Sequence, residues 1–266
     1  MNDIPSNMEG KVEGEDAEAS PGSERYELKS AKLKAEDIIF CVDCSSESTV
    51  EIRAAGGSST RLDAIKHSIL LFINCKLSIN SEHRFAFASL SNSVSWIKKD
   101  FSNKVDAAVT TLSLFPATSS CDHADLVSLF RLASHAAKKS RAQDRILRVI
   151  LIYCRSSMRP QHQLVLNQKL FTLDVIYLHD KPGPDNCPQL IYDDLGDAVE
   201  GLSEYEGFIF ENGPGNRQLF RNMSMLLSHP QQRLPIDRMT IPKPLIKKAS
   251  SSDPTNGEEP PPVSKR

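Results

Sequence analysis

Asp37-Ile38-Ile39-Phe40-Cys41-Val42-Asp43 is the stretch that decides the fold of this chain. Its central residues are apolar, and a carboxylate ends the run. A short continuous apolar run is typical of a strand that is buried on both faces, as in a parallel sheet. Cys44-Ser45-Ser46-Glu47 follows in a loop, where a doubly wound sheet places its ligand crevice. The stretch therefore predicts a buried strand that delivers polar side chains to a crevice.

Strands and helices alternate along the rest of the chain. Alternation indicates a mainly parallel sheet with helices on both faces and right-handed crossovers. Two strand patterns separated by a short Ser-Asn turn indicate one antiparallel edge strand. We therefore predict an α/β fold, with a doubly wound, mostly parallel sheet and one antiparallel edge strand. The predicted strands are 37–43, 83–90, 93–97, 145–154, 171–179 and 205–211, and the predicted helices are 59–77, 102–113, 122–139, 162–169, 189–201 and 215–228.

Composition separates a central domain from two tails. The first 34 residues are polar and rich in Glu, Ser, Pro and Gly, so they bury too little apolar surface to offset the entropy of ordering. Eight of the 16 prolines lie in the last 38 residues. We predict a disordered tail at 1–34, a domain at 35–228, an extended partner-docking segment at 229–246 and a second disordered tail at 247–266.

Charge and hydropathy exclude several classes of protein. The 266 residues are 39% hydrophobic and 25% charged, with a net charge of −2, so no field for nucleic acid or membrane is expected. No apolar run approaches the roughly 20 residues that span a bilayer. The start of the chain lacks the apolar region of a signal peptide, so secretion is not expected. Six scattered cysteines indicate reduced thiols, as in the cytoplasm or nucleus.

Asp43, Ser45 and Glu47 form an Asp-x-Ser-x-Glu pattern after the first strand. This resembles the start of a von Willebrand A domain, which holds a metal ion through Asp-x-Ser-x-Ser. Glu47 stands where the second serine is expected, and Arg155 puts a cation in the loop after the strand 145–154, where an acid is expected. Because a hard divalent ion needs several oxygen ligands, we predict a degenerate site without metal or other cofactor. Asp43 and Ser45 would then bond to loop backbone or pair with Arg155.

Three other features have both a chemical and a structural interpretation. Cys121 and His123, beside Asp122, would suit a hydrolase, but adjacency in sequence does not make a triad. Capping of the next helix by Ser120 or Asp122 explains them better. Cys41 and Cys44 read as two core thiols, because no second pair stands at zinc-ribbon spacing. Trp96, the single tryptophan, either anchors a partner or covers the edge of the core, and we favour the second.

The segment after the last predicted helix combines prolines with apolar side chains. Prolines fix an extended backbone and reduce the entropy lost on docking. Arg233 offers a planar fork for carboxylate or carbonyl acceptors. We therefore predict partner-binding residues here, namely Pro230, Arg233, Leu234, Pro235 and Ile236.

Three stretches together resemble one family, the BRISC and BRCA-one-A complex member one proteins. The first is 36–47, with the Asp-x-Ser-x-Glu loop. The second joins 82–87 to Val94-Ser95-Trp96. The third is 225–233, with its Pro-x-x-Arg segment. The resemblance covers about residues 35–235 of this sequence.

The resemblance implies a non-catalytic scaffold subunit of a deubiquitinase complex. It implies that the C-terminal segment binds the ubiquitin-fold-containing scaffold subunit, and through it the zinc-dependent deubiquitinase and its pseudo-enzyme partner. That enzyme cleaves lysine-sixty-three-linked ubiquitin, in the cytoplasm and in nuclear DNA repair. A metal-dependent ligand-binding von Willebrand A domain, of the adhesion or copine-like kind, is the alternative. Divalent-ion affinity would discriminate between the two.

Overall fold

The first strand lies inside a mixed sheet that carries helices on both faces. The computed structural model describes residues 33–54, 57–116, 121–163, 168–213 and 216–234. The strands there are β1 (Glu36–Asp43), β2 (Glu51–Ala54), β3 (Gly57–Thr60), β4 (Arg84–Leu90), β5 (Val94–Ser102), β6 (Ile146–Tyr153), β7 (Thr172–Leu178) and β8 (Ile209–Asn212). The α-helices are α1 (Arg61–Ile79), α2 (Val105–Ser113), α3 (Leu126–Arg141), α4 (Pro188–Leu202) and α5 (Asn216–Met225).

The main sheet has the order β5-β4-β1-β6-β7-β8. Every neighbouring pair is parallel except β4 and β5, which are antiparallel. The predicted fold class is thereby confirmed, since β5 is the single antiparallel edge of this sheet. The strand order reverses between β1 and β6, so the crevice of a doubly wound sheet opens at their carboxyl ends.

Alternation along β1 divides the core into two layers. Successive side chains of a strand point to opposite faces. Ile39 and Cys41 pack with α3 and α4 on one face, whereas Ile38, Phe40 and Val42 pack with α1, α2 and α5 on the other. The β1 side chains on both faces, at 38–42, are at most 1% exposed, which explains why the sequence of β1 is apolar without a polar face.

Helix starts follow local capping chemistry. The Thr60 hydroxyl accepts the Asp63 amide at 3.1 Å, and the Asp63 carboxylate accepts the Thr60 amide at 3.1 Å, which forms a capping box at α1. Asp125 caps α3 by accepting the Ser128 amide at 3.2 Å. The predicted cap by Ser120 or Asp122 is therefore wrong, because α3 begins later than expected.

Two further differences from the predicted elements concern loops. The antiparallel hairpin of β2 and β3 was not predicted. The helix predicted at 162–169 is wrong for residues 162, 163, 168 and 169, which are not helical, while 164–167 lie outside the described residues. The predictions for 1–32 and 235–266 also lie outside them. Within the described ranges, no helix combines the length and hydropathy needed to cross a membrane.

Candidate functional site

The crevice at the ends of β1 and β6 holds a buried ion pair. Asp43 ends β1, and Arg155 lies two residues beyond β6. The guanidinium donates from Nε to Asp43 Oδ2 at 3.0 Å and from Nη2 to Oδ1 at 3.1 Å. The Asp43 side chain is 0% exposed and that of Arg155 is 2% exposed. The structure thus brings Asp43 together with the arginine that the sequence offered as its partner.

Two backbone amides also donate to the Asp43 carboxylate. Oδ1 accepts the Ser45 amide at 3.0 Å, and Oδ2 accepts the Cys154 amide at 3.1 Å. Burial opposes the charge of Arg155, but the neighbouring Asp43 carboxylate outweighs that effect and raises the pKa of Arg155. Both Asp43 oxygens therefore accept from the guanidinium and from a backbone amide.

Arg155 also ties the surrounding loops together. It donates to the carbonyl of His123 at 2.6 Å, to the carbonyl of Ser91, and to the Met158 sulfur at 2.9 Å. Its own carbonyl accepts the Tyr177 hydroxyl at 3.1 Å. One guanidinium therefore fixes three loops at this edge of the sheet.

Glu47 faces away from Asp43 and holds the neighbouring loop. Its carboxylate accepts the Ser156 amide at 2.8 Å and also the Ser156 hydroxyl. The Ser156 hydroxyl in turn accepts the Asp180 amide at 2.8 Å. Buried Arg61 pairs with Asp180 and donates to the Glu47 carbonyl at 3.4 Å. Glu47 has become a structural acceptor.

The donor set does not fit a divalent cation. Such an ion needs a shell of oxygen ligands, whereas the Asp43 oxygens face a guanidinium and two amides. Ser45 Oγ is buried without a hydrogen-bond partner among the described residues, but it is one hydroxyl. The described part of the chain also holds no cluster of three or more His, Cys, Asp or Glu able to bind a metal.

The cysteines near the crevice are poor nucleophiles. Burial raises the pKa of Cys44 to about 12 and raises the pKa values of Cys41 and Cys154 as well. Thiols that stay protonated do not attack or bind metal readily. His123 is exposed, and its carbonyl serves Arg155. Cys41, Cys44 and Cys154 therefore lie in the core as protonated thiols.

A second buried charge cluster lies near the amino ends of strands β1, β6 and β7. Arg233 donates to both carboxylate oxygens of Asp174, from Nη1 to Oδ1 at 2.6 Å and from Nη2 to Oδ2 at 3.0 Å. Asp174 also accepts Arg148 Nε at 2.6 Å, and Arg148 reaches Glu36 at 3.3 Å. Lys76 pairs with Glu36. The side chains of all five are at most 1% exposed.

Arg233 thus finds its acceptors inside its own chain, which differs from the expected role on a partner surface. It stacks 4.3 Å from the Phe208 ring centre and donates to the Glu206 carbonyl at 2.8 Å. The turn before it, Pro230–Gln232, is a 3-10 helix. Pro230 is buried and Leu234 is half-buried, whereas Pro235 and Ile236 lie outside the described residues. The structural domain therefore extends through Arg233, beyond the predicted boundary at 228.

The second cluster was not among the sequence predictions, although the sequence carries a signal for it. Glu36, Arg148 and Asp174 are charged residues inside otherwise apolar strands. A buried charge needs a partner, so opposite charges in neighbouring strands predict an internal pair. Nothing local in the sequence could show that Arg233 completes it, since it lies 59 residues from Asp174.

No family model matches the chain. Two curated relatives are similar to this chain over most of its length. "BRISC and BRCA1-A complex member 1" of Xenopus tropicalis is 27% identical over 233 residues, covering 80% of this chain and 71% of the relative. The Homo sapiens protein of the same name is 24% identical over 233 residues, with 80% and 70% covered. This chain is a homologue of those proteins.

Solved structures of other proteins share the fold. The PilB minor pilin mutant D319A from Streptococcus sanguinis aligns with a TM-score of 0.50 at 10% identity, over 76% of this chain and 62% of that chain. The TFIIH p34 N-terminal domain aligns with a TM-score of 0.50 at 13% identity, over 71% and 96%. At these identities the likeness concerns the fold alone.

Proposed function

We propose that this chain is a non-catalytic scaffold subunit of a deubiquitinase assembly of the BRISC and BRCA1-A type. Its homologues carry the name of a member of those complexes. In this proposal a separate zinc-dependent subunit cleaves lysine-sixty-three-linked ubiquitin, and this chain stabilises the assembly. The assembly would act in the cytoplasm and, in DNA repair, in the nucleus.

The observation that carries the non-catalytic part is the Asp43–Arg155 pair. The crevice is where a doubly wound sheet places its ligand, and here a buried guanidinium occupies it with bonds to both carboxylate oxygens. The Ser45 amide bonds to Asp43, and the Glu47 side chain bonds to the Ser156 amide and hydroxyl, all within the loops. In this proposal the side chains of the crevice hold the loops in place and do not bind a ligand.

The docking part of the proposal rests on the C-terminal segment. Arg233 fixes the start of this segment to the domain through Asp174. Beyond it, Pro235, Ile236 and Ile241 are apolar or conformationally restricted residues, which suit an extended chain laid on a partner. We propose that the residues after Arg233 bind the ubiquitin-fold-containing scaffold subunit, while Arg233 itself sets where the segment leaves the domain.

Native purification tests the proposal. The tagged full chain is expressed in cells that contain the candidate partners, and the copurifying proteins are identified by mass spectrometry. We expect the scaffold and zinc-dependent subunits, and cleavage of lysine-sixty-three-linked diubiquitin by the purified complex but not by the isolated chain. Absence of those subunits, or cleavage by the isolated chain, would overturn the proposal.

A matched truncation tests the docking segment. A chain that ends at Leu234 keeps the Arg233–Asp174 pair and loses the segment after it. We expect this chain to melt like the parent and to lose the scaffold subunit in the same purification. If the truncated chain retains its partner, the interface lies on the domain and not on the segment.

A further inference from the structure

A groove runs between the edge strand β5 and helix α3. Its volume is about 630 Å³, within the range of cavities that bind ligands or side chains of a partner. Its apolar lining comes from Val94, Trp96 and Phe101 of β5 and from Leu132 of α3. These four side chains are half-buried and pack against the core beneath.

The spacing along α3 explains why the groove is open. Ser128, Arg131, Leu132, His135, Ala136 and Lys139 line it, and these positions share one face of a helix because they recur at three and four residues. The small side chain of Ala136 leaves room in the middle of that face. The groove is thus a consequence of the residues on this face of α3, which is a continuous helix.

Hydrogen bonds close both ends of the groove. At one end the Val94 amide donates to Ser128 Oγ at 2.9 Å. At the other end Arg84 donates to the Gln143 side chain at 2.8 Å, and the Ser140 hydroxyl donates to Asp37 at 2.7 Å. The first bond joins β5 to α3, and the other two join the C-terminal end of α3 and the residues after it to β1 and β4, so the groove is preformed.

The rim of the groove is positively charged. Lys99, Arg131 and Lys139 are exposed on it, and no carboxylate of the described residues forms an ion pair with them. The lining carboxylate of Asp37 is already paired with Arg84 and Arg145. Asp100 is the other acid in the lining. The groove therefore favours an acidic ligand.

The outer edge of β5 adds a second mode of recognition. In the described part of the chain β5 pairs with β4 on one side and with no strand on the other. An edge strand presents unpaired amides and carbonyls that can accept another strand. Lys98 and Lys99 on this edge oppose pairing with a second copy of the same basic strand and favour an acidic one.

We propose that this groove binds an extended acidic peptide segment of a partner protein, which adds as a strand along β5. Its apolar side chains enter the groove over Trp96 and Phe101, and its acidic side chains face Arg131 and Lys139. No residue that lines the groove belongs to the proposed C-terminal docking segment, so the proposal stands independently of the deubiquitinase assembly.

Trp96 provides a direct readout, because it is the single tryptophan of the chain. The probe is the acetylated and amidated peptide Glu-Val-Glu-Phe-Glu-Val-Glu, titrated into the full chain. We expect a saturable shift of the tryptophan emission to shorter wavelength, and no shift with Lys-Val-Lys-Phe-Lys-Val-Lys. Absence of a saturable shift with the acidic peptide would overturn the proposal.

Charge-reversal variants locate the site. We expect R131E/K139E to weaken binding by about tenfold or more, since two charge contacts become repulsive. The matched control K104E/K138E changes two exposed lysines outside the groove by the same charge and should bind like the parent. Equal weakening in both double variants would mean a general charge effect and would overturn the site.

Two further probes separate strand addition from attraction of any polyanion. Two acidic peptides are compared, one methylated on the backbone nitrogens of its odd residues and the other on those of its even residues. Their affinities should differ, because only one of the two patterns blocks the hydrogen bonds to β5. Equal binding by both peptides would contradict strand pairing. A single-stranded oligonucleotide of the same charge should bind more weakly, and equal binding by it would assign the groove to polyanions instead.

Discussion

Asp43 and Arg155 are both removed from water, where an ion without a counter-charge costs several kcal/mol. The two side chains are 0% and 2% exposed, and the guanidinium contacts both carboxylate oxygens. At the scale of the residue, the Arg155 guanidinium therefore supplies the counter-charge that the buried Asp43 carboxylate needs. Arg155 brings its own hydrogen-bond donors and connects three loops at once.

Arg155→Met should lower the free energy of unfolding by about 3–5 kcal/mol, because it leaves Asp43 buried without a counter-charge. The double variant D43N/R155M should cost less than the sum of the single changes. Urea unfolding followed by Trp96 fluorescence measures both. Arg159→Met is the control, since Arg159 pairs with Asp194 at a side chain that is 57% exposed, and it should change stability less. Additive costs for Asp43 and Arg155 would contradict the coupling.

His83 gives the stability a pH dependence. Burial lowers the pKa of His83 to about 4, although the nearby Glu36 opposes this effect. Lys76, His229 and Arg145 also face the ring and disfavour its charge. An unfolded histidine has a pKa of about 6.5, so between these two values the unfolded chain binds a proton that the folded chain does not. Stability is therefore fully present above about pH 6.5 and falls as the pH falls toward 4.

From pH 6.5 to 5 this effect should cost about 2 kcal/mol. His83→Asn should flatten the pH dependence of stability, because asparagine does not titrate. Its amide oxygen can still accept the Glu36 amide, which donates to His83 Nδ1 at 3.0 Å in the parent. Burial also lowers the pKa of His229, so a variant that replaces both His83 and His229 should show a still flatter dependence of stability on pH. Urea unfolding at several pH values above 5 makes the measurement before the carboxylates titrate. An unchanged slope in His83→Asn would refute the assignment.

At the scale of the element, the turn Pro230–Gln232 belongs to the domain that precedes it. His229 donates from Nε2 to the Lys34 carbonyl at 2.9 Å, and the Gln231 side-chain Oε1 accepts the Lys34 amide at 3.1 Å. Arg233 then enters the interior between Asp174 and Phe208. The turn is thus held by specific polar contacts to Lys34, just before β1, and to Asp174 in β7.

Removal of this turn should destabilise the domain. A chain that ends at Ser228 should unfold at lower urea concentration than one that ends at Leu234. Arg233→Met should cost about 1.5–3 kcal/mol, the range for hydrogen bonds to a charged group. The cost is limited because Arg148 still pairs with Asp174. Gln232→Ala, an exposed change in the same turn, is the control. Identical unfolding of the two truncated chains would show that the turn contributes nothing.

At the scale of the whole molecule, the domain should fold without a divalent ion. The guanidinium of Arg155 supplies the positive charge at the crevice, so an ion would have to displace it. Thermal melting should give the same midpoint in chelator and in millimolar magnesium. A rise of several degrees with magnesium would indicate binding to the folded state and would favour the metal-dependent alternative. Melting of Arg155→Met under both conditions shows whether the arginine excludes the ion.

The sequence by itself determined the layers of this protein. Apolar runs such as 38–42 and 149–152 can be buried on both faces only in a sheet covered by helices, and that local pattern predicted the α/β class. It also placed Asp43 at a strand end. Arg155 follows another strand that the alternation made parallel, so the sequence alone supplied the pairing of Asp43 with Arg155 as a hypothesis.

The tertiary structure decided which way the long polar side chains point. Arg155 contacts Asp43 across 112 residues and Arg233 contacts Asp174 across 59. A flexible arginine at a loop or at a chain end can reach solvent, a partner or its own core, and no local pattern distinguishes these. The groove beside Trp96 is also a tertiary feature, because it depends on the distance between β5 and α3. Local propensity sets the elements, whereas buried charge and cavity shape arise when distant elements meet.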